Sequence, residues 1–258
     1  MIGMTPLNFD ALVDEANSVS VNGWNFSWLN GRAVEDRPTW RYVHLLAQRL
    51  QDAHCSLDLD TGGGEVLAEA LASAESKPAQ IQATESWPPN VKLARQSLHP
   101  YGGTVIESAT DGSLPFDSES FDLVTSRHPI KTQWIEIARV LQRNGAYLAQ
   151  HVGAGSNREL TDFFLGPQQI GTARSPERAV REAVEAGLTI IDLRHESLRA
   201  SFFDVGAVVY FLRKVVWTVP EFSVELYIDK LRDMHQWIEI HGSFDTTIER
   251  FLVQAVKP

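Results

Sequence analysis

The sequence predicts an α/β protein built on an open, doubly wound, mostly parallel sheet. Three observations carry that expectation. Between residues 56 and 151 short apolar runs alternate with stretches of helical periodicity, the pattern left by βαβ units. The first run leads into a glycine-rich turn, Asp60-Thr61-Gly62-Gly63-Gly64, where an open parallel sheet presents its ligand edge. The length of 258 residues also suits one large α/β domain with an added cap.

Taken in order, residues 1–54 are expected to form a helical, aromatic cap. Trp24, Phe26, Trp28 and Trp40 surround the turn Asn30-Gly31-Arg32, and apolar spacing from Trp40 to Leu50 fits an amphipathic helix. Residues 55–258 are expected to form the main domain. Its predicted strands are Ser56–Asp60, Ile81–Glu85, Thr104–Glu107, Phe121–Ser126 and Ala146–His151, separated by helices at Val66–Ala74, Asn90–Leu98 and Thr132–Arg143. Asn90 is placed as a helix cap after Pro88-Pro89, and Asn144-Gly145 as a helix stop. Ser175-Pro176 then opens a helix that Gly187 closes, through an N-cap serine and a first-turn proline. Leu188–Leu193 and Arg250–Val256 read as further strands. Between them, Asp204–Trp217 and Val224–Ile238 are helical, the second introduced by Pro220 and Ser223. The insert from about 202 to 241 is expected to cover the ligand edge as part of a substrate cap.

Composition removes several classes of function. A lone cysteine, Cys55, forms no internal disulfide, and the sequence shows neither a leader pattern nor a run of about 18 apolar residues, so a cytoplasmic protein without a membrane span is expected. The net charge of −10 gives no general attraction to nucleic acid. No Cys/His cluster has zinc spacing, and no metal is expected.

The glycine turn restricts the ligand. A dinucleotide fingerprint needs a third glycine where this chain has Leu67, and a phosphate-binding P-loop needs a Lys-Ser/Thr pair that is missing. A pyrophosphate at this helix start would also meet Asp58, Asp60 and Glu65, and like charges in proximity are costly. An adenosine compound bearing ammonium and sulfonium groups would be attracted instead. Glu85 follows Gly64 by about 20 residues, the spacing at which a strand-end carboxylate accepts bonds from ribose hydroxyls.

Motif by motif, residues 56 to about 151 resemble the class I S-adenosylmethionine-dependent methyltransferases. Leu57-Asp58-Leu59-Asp60-Thr61-Gly62-Gly63-Gly64 is similar to that family's first motif, with Asp60 standing where its first glycine is usual. Ala83-Thr84-Glu85 resembles the ribose-binding strand end, Thr110-Asp111-Gly112-Ser113-Leu114-Pro115-Phe116 the adenine loop, and Phe121-Asp122-Leu123-Val124 the fourth strand. Glu136-Ile137-Ala138-Arg139-Val140-Leu141 with Asn144-Gly145 resembles the approach to the fifth. The resemblance implies a Rossmann-like, seven-stranded sheet with an antiparallel last strand, S-adenosyl-L-methionine as cofactor and S-adenosyl-L-homocysteine as product. It implies that Asp58, Asp60, Thr61 and Gly62 to Gly64 hold the methionyl portion, Glu85 the ribose and Asp111 with Gly112 the adenine. Ser86, Trp87, Ser126 and Arg127 would complete the cofactor site.

The remaining candidates carry more than one reading each. His128, between Arg127 and Pro129, could act as general base, orient the acceptor or serve only its loop. His151 is a second residue of that type. Trp24 and Trp28 could close over acceptor and cofactor or simply pack a core. The expected activity is methyl transfer to an O, N or C nucleophile of a small molecule, by a monomer or homodimer. RNA methylation and a non-catalytic cofactor sensor are the alternatives.

Overall fold

The computed structural model describes residues 8–23, 26–109 and 112–258. In chain order the elements are α1 (Phe9–Ser18), β1 (Ala33–Glu35), α2 (Tyr42–Asp52), β2 (Cys55–Leu59), α3 (Glu65–Ser73), β3 (Gln80–Glu85), α4 (Pro88–Leu98), β4 (Thr104–Glu107) and β5 (Phe121–Arg127). They continue with α5 (Trp134–Val140), β6 (Leu141–Val152), α6 (Arg158–Leu165), α7 (Pro176–Glu185), β7 (Thr189–Phe202), α8 (Val205–Lys214), α9 (Ile228–His241) and β8 (Phe244–Val256). The sheet order is β1-β7-β8-β6-β5-β2-β3-β4. β2, β3, β4, β5 and β6 pair in parallel, while β8 runs antiparallel to β6.

The chain divides into two compact units, and β7 and β8 contribute residues to both. One unit comprises 37–154, 172–196 and 249–258. Its strands alternate side chains between two apolar layers, as a sheet covered on both faces must. Ile81, Ala83, Leu123, Leu148 and Leu252 meet residues of α2, α3 and α4. Leu57, Val124, Tyr147, Ala149 and Val253 meet residues of α5 and α7. Leu67 and Leu71 of α3 are almost fully buried, each contributing about 2 kcal/mol of hydrophobic stabilisation.

The other unit comprises the chain up to Asp36 with 155–171 and 197–248. Here α1 packs Leu12, Val13 and Ala16 with Val205, Val208 and Leu212 of α8. A methyl at Gly206 would stand 2.7 Å from the Leu12 carbonyl, so only glycine admits that approach. Arg32 clamps the unit by a bidentate pair with Asp204 at 2.8 and 3.0 Å, and Asp204 also caps α8 through the Ala207 amide. Residues 1–54 therefore fall into both units, with α2 in the first, and the stretch 202–241 holds α8 and α9 in the second.

The structure differs from the sequence expectations at several places. The sheet has an eighth strand, because Ala33–Glu35 in the supposed helical cap pairs with β7. The helix expected to reach Arg143 stops at Val140, since fully buried Leu141 already pairs with Phe121; Asn144, at φ 63°, and Gly145 then form an irregularity inside β6. Asn90 caps nothing: α4 starts at Pro88, which presets the helical φ and needs no donor, and Asn90 lies buried in the first turn. β7 and β8 are about twice as long as predicted, and Ser223 receives the Leu226 amide ahead of α9 instead of capping it.

Candidate active site at the sheet edge

The carboxyl ends of β2, β3, β5 and β6 gather most of the predicted residues, all within one unit. β2 ends at Leu59 and the chain turns sharply into α3. Asp60 takes φ 53°, Gly62 φ 64° and Gly64 φ 79°, so three residues of the turn occupy the left-handed region. Asp60 thus performs the turn for which the resembling family uses glycine. Aspartate tolerates that region better than most side-chain-bearing residues because its short carboxylate can bond locally. Gly64 is required for a second reason: a methyl there would lie 3.1 Å from the Cα of Ala94 in α4.

Glu85 at the end of β3 closes the turn. Its Oε2 accepts the Gly62 amide at 2.8 Å, while Oε1 accepts the amides of Ser86 and Trp87 at 2.9 and 3.0 Å. A buried carboxylate with three backbone donors is rigidly oriented. One acceptor position on Oε2 stays available to a ligand hydroxyl. Thr61 is tied at the backbone, its amide donating to the Thr84 carbonyl at 3.0 Å.

Two further acids stand beside it. Asp58 is buried in β2 and receives the Thr125 hydroxyl at 2.6 Å; burial pushes its pKa up to about 6 despite that bond. Asp60 also rises to about 6, first through burial and then through repulsion from Glu85 and Asp58. A cation placed there would relieve all three carboxylates. Tyr147 of β6, fully buried beside them, has its phenol pushed well above its ordinary range by burial and by the same two aspartates. The cleft lined by Asp60, Thr84, Ala109, Leu114, Ser126 and Tyr147 leaves only about 10 Å³ free, room for roughly one water.

Asn90 is a residue that sequence reasoning misassigned. It is 1% exposed, and neither its Oδ1 nor its Nδ2 has a hydrogen-bond partner among the described residues. It lies one turn before Ala94 on the helix face that touches Gly64. An unsatisfied buried amide is costly, so this pair of polar atoms next to the glycine turn fits a site completed by a ligand.

At the other end of the edge, Ser126 is buried and structural: its hydroxyl donates to the Leu59 carbonyl at 3.1 Å, and its carbonyl accepts from Tyr42 at 3.0 Å. Arg127 is exposed. His128 follows at φ 58°, held by its amide to the Gln150 carbonyl at 2.7 Å. A short relay fixes its ring. Trp40 Nε1–H donates to Gln150 Oε1 at 2.7 Å, so the Gln150 amide nitrogen must donate to His128 Nε2, 2.9 Å away. His128 is then protonated on Nδ1. Burial, followed by Arg127, Arg250, His151 and Arg174, keeps its pKa well below the ordinary value. Trp40, Gln150 and Arg250 were not foreseen as site residues, although a glutamine and an arginine inside otherwise apolar strands signalled them.

His151 sits at the tip of β6 with its ring parallel to Phe251 at 4.6 Å and near-parallel to Trp134 at 6.3 Å. Burial lowers its pKa to about 3, and its Nε2 has no partner among the described residues. Trp87 is 37% exposed beyond Glu85, and Gly112 is exposed. Asp111 and Trp24 lie outside the described residues. Trp28 belongs to the other unit, where its ring meets that of Tyr210 at 4.8 Å, tilted by 35°, and lies under Arg32 at 3.9 Å. Among the described residues no helix is long and apolar enough to cross a membrane, and no group of three His, Cys, Asp or Glu could hold a metal.

A parallel sheet with an antiparallel final strand and an acid-flanked glycine turn at its carboxyl edge defines a Rossmann-like methyltransferase fold. Residues 57–149 match the family model described as a methyltransferase domain. That match covers about a third of the chain and, with the fold, supports a methyltransferase domain over this stretch. Among solved structures, a protein of unknown function from Deinococcus radiodurans R1 shares 18% identity with a TM-score of 0.59, over 90% of this chain and 96% of that one. A candidate sarcosine dimethylglycine methyltransferase from Galdieria sulphuraria shares 18% identity with a TM-score of 0.51, over 84% and 86%. The Haemonchus contortus phosphoethanolamine N-methyltransferase 2, solved with phosphomonomethylethanolamine and S-adenosylhomocysteine, shares 17% identity with a TM-score of 0.53, over 98% of this chain and 60% of that one. At these identities the likeness concerns the fold. No curated protein sequence matches the chain.

Proposed function

We propose that this protein binds S-adenosyl-L-methionine at the glycine turn and catalyses methyl transfer to a nucleophile of a small molecule, releasing S-adenosyl-L-homocysteine. The observation that carries the reading is the joint presence of a glycine cradle and three convergent carboxylates, Asp58, Asp60 and Glu85. That arrangement repels phosphate and attracts a cationic adenosine compound. The matched domain and the fold support the same class.

When bound, S-adenosyl-L-methionine supplies an activated methyl group on a sulfonium. The chain's residues hold, orient and desolvate. Asp58, Asp60 and the glycine turn of residues 61–64, with the Gly63 amide as its donor, would take the methionyl end. Glu85 would take the ribose through the free position on Oε2, with Asn90 and Trp87 beside it. Asp111 and Gly112 remain the adenine assignment. His128, with Nε2 occupied by Gln150 and a depressed pKa, is suited to donate from Nδ1–H to an acceptor oxygen rather than to remove a proton. Catalysis would rest chiefly on positioning, which can supply several kcal/mol of rate enhancement without a base. We also take the acceptor to be a small molecule rather than RNA, given the net charge of −10, and the protein to act in the cytoplasm as a monomer or homodimer.

Calorimetric titration with S-adenosyl-L-methionine and S-adenosyl-L-homocysteine tests the reading. Binding of both in the micromolar range, with no binding of NAD, is expected. Binding of neither would remove the proposal. Binding without methyl transfer to any of a broad set of small nucleophiles would favour the sensor alternative.

A further inference from the structure

The first ten residues of β7 form a free edge of the sheet. The strand order runs β1-β7-β8, and β1 covers β7 only at residues 200–202, through Ala33–Glu35. The Asp36 amide adds one bond to the Arg199 carbonyl. Among the described residues no strand pairs with residues 189–198 on the side away from β8. An unpaired row of amides and carbonyls is a template for a further strand, and proline is one residue that blocks it. Residues 189–198 contain no proline, and Ile191 and Leu193 stand 52% and 43% exposed.

Side chains alternate along this edge. Asp192 accepts the Gln254 side-chain amide at 2.8 Å, and Arg194, on the same face, pairs with Asp192 at 2.8 Å. Ile191, Leu193 and His195 take the other face, where His195 meets Glu249 at 2.7 Å. A second copy laid antiparallel along the edge is related by a twofold axis normal to the sheet, which preserves the face of every residue. Only registers centred on a residue are then allowed.

Centred on Leu193, that leucine meets its own copy and Ile191 of each chain lies opposite His195 of the other. Asp192 of each chain lies opposite Arg194 of the other. The ion pair already formed within each chain is thus met by the same pair in reverse order, and the four charges alternate in sign. A shift of one residue opposes like charges, setting Asp192 against Asp192 in one direction, or Arg194 against Arg194 and Asp192 against Glu196 in the other. A shift of two brings the ladder onto Arg199, whose carbonyl is taken by Asp36, or shortens it to residues 189–193. Opposite charges across a strand pair stabilise and like charges destabilise, so the charge order selects one register. That register is self-complementary, as a second copy requires and a foreign strand does not.

We propose, independently of the methyltransferase reading, that two copies of this chain associate through the free edge of β7, antiparallel and centred on Leu193, joining their sheets into one.

Sedimentation equilibrium over a concentration series measures the association, and hydrogen exchange at low and high concentration locates it. The wild type should dimerise reversibly, because one strand pair is a small contact, and exchange at residues 190–196 should slow only at high concentration. Arg194→Asp sets acids against acids across the axis, and Asp192→Arg sets cations against cations; each alone should weaken association by about tenfold or more. An equimolar mixture of the two variants should restore it, because every opposed pair then carries opposite signs, and misfolded variants would show no such recovery. A wild type that remains monomeric with a fast-exchanging edge would overturn the proposal and leave the edge to a foreign strand. Slow exchange of the edge in the monomer would overturn it by showing that another segment of the chain covers β7. A dimer that survives both single variants, or a mixture that associates no better than either variant alone, would place the contact elsewhere or remove it.

Discussion

Glu85→Ala offers a measurement on how the glycine turn is built. The carboxylate accepts three backbone amides, from Gly62, Ser86 and Trp87. A buried donor stripped of its partner costs about 1–3 kcal/mol, and bonds to a charged acceptor lie at the upper end. Ser86 is half-buried and Trp87 37% exposed, so water replaces much of what those two amides lose, and only the Gly62 bond is forfeited nearly in full. The gross cost is therefore about 3 kcal/mol. Against it stands relief of repulsion, because Glu85 is the largest single charge acting on Asp60. At the effective dielectric of a partly solvated site this relief returns about 1 kcal/mol. The tether wins, leaving about 2 kcal/mol of net destabilisation, or roughly 4–8 °C in melting temperature for a chain of this size. The assay is thermal unfolding of the ligand-free protein, with Glu85→Gln as a second variant that keeps the shape and one acceptor oxygen and should fall between the two. A melting temperature equal to or above wild type would refute the reasoning, showing that repulsion dominates and that the carboxylate does not hold the turn. The outcome also bears on ligand binding: loss of cofactor affinity in Glu85→Ala reflects a missing ribose contact only to the extent that it exceeds the loss caused by the loosened turn.

Gly64→Ala should destabilise by about 1–2 kcal/mol, since its φ of 79° lies in the left-handed region and its new methyl meets the Ala94 backbone at 3.1 Å; chemical denaturation checks it, and an unchanged midpoint would exclude the turn geometry. Asp58 and Asp60 have folded pKa values of about 6, above the unfolded value of 3.8, so their stabilising share is complete below pH 3.8 and lost as pH rises through about 6. Asp60→Asn should therefore raise the melting temperature at pH 8 more than at pH 4, and a difference of the opposite sign would contradict the assignment. The preference for S-adenosyl-L-methionine over its neutral-sulfur product should grow between pH 5 and pH 7, as the same carboxylates ionise, in titrations at each pH. Gln150→Glu places a carboxylate against His128 Nε2 and should move that imidazole's titration upward, followed by NMR; no movement would show that the two side chains are not in contact.

The parts of this fold most legible in the sequence are those set by local physics. Alternation of apolar residues located β2 to β6 because a sheet buried on both faces demands it, and glycines at 62 and 64 marked the turn because few residues tolerate positive φ. Ser175-Pro176 announced α7 through an N-cap that the structure realises at the Arg178 amide, and helical periodicity from Asp204 announced α8. What escaped was set by distant partners. Ala33–Glu35 carries no strand signal of its own and is extended because β7 offers it a ladder nearly 170 residues later. Leu141 was assigned to a helix whose propensity is overridden by pairing with Phe121. Asn90 reads as a cap by residue type, but the two prolines before it already start the helix, which leaves its amide for another use. The relay Trp40–Gln150–His128 joins residues 88 and 22 positions away from the histidine, and periodicity along the chain does not register such a contact.

The strand order explains why one edge holds two opposite charges. β2 is central, flanked by β3 on one side and by β5 and then β6 on the other. The acids sit at β2 and β3, as Asp58, Asp60 and Glu85, and the arginines at β5, β8 and the loop beside β6, as Arg127, Arg250 and Arg174. Thr125 and Asp58 share the boundary, paired across β2 and β5 and bonded at 2.6 Å. Arg127 stands on the strand next to β2, so the nearest acid and arginine are about one strand spacing, some 5 Å, apart across the sheet, while β3 and β8 lie four spacings apart. Both signs act on one buried group there: beyond the rise that burial causes, Asp58 raises and Arg127 lowers the pKa of the Tyr42 hydroxyl.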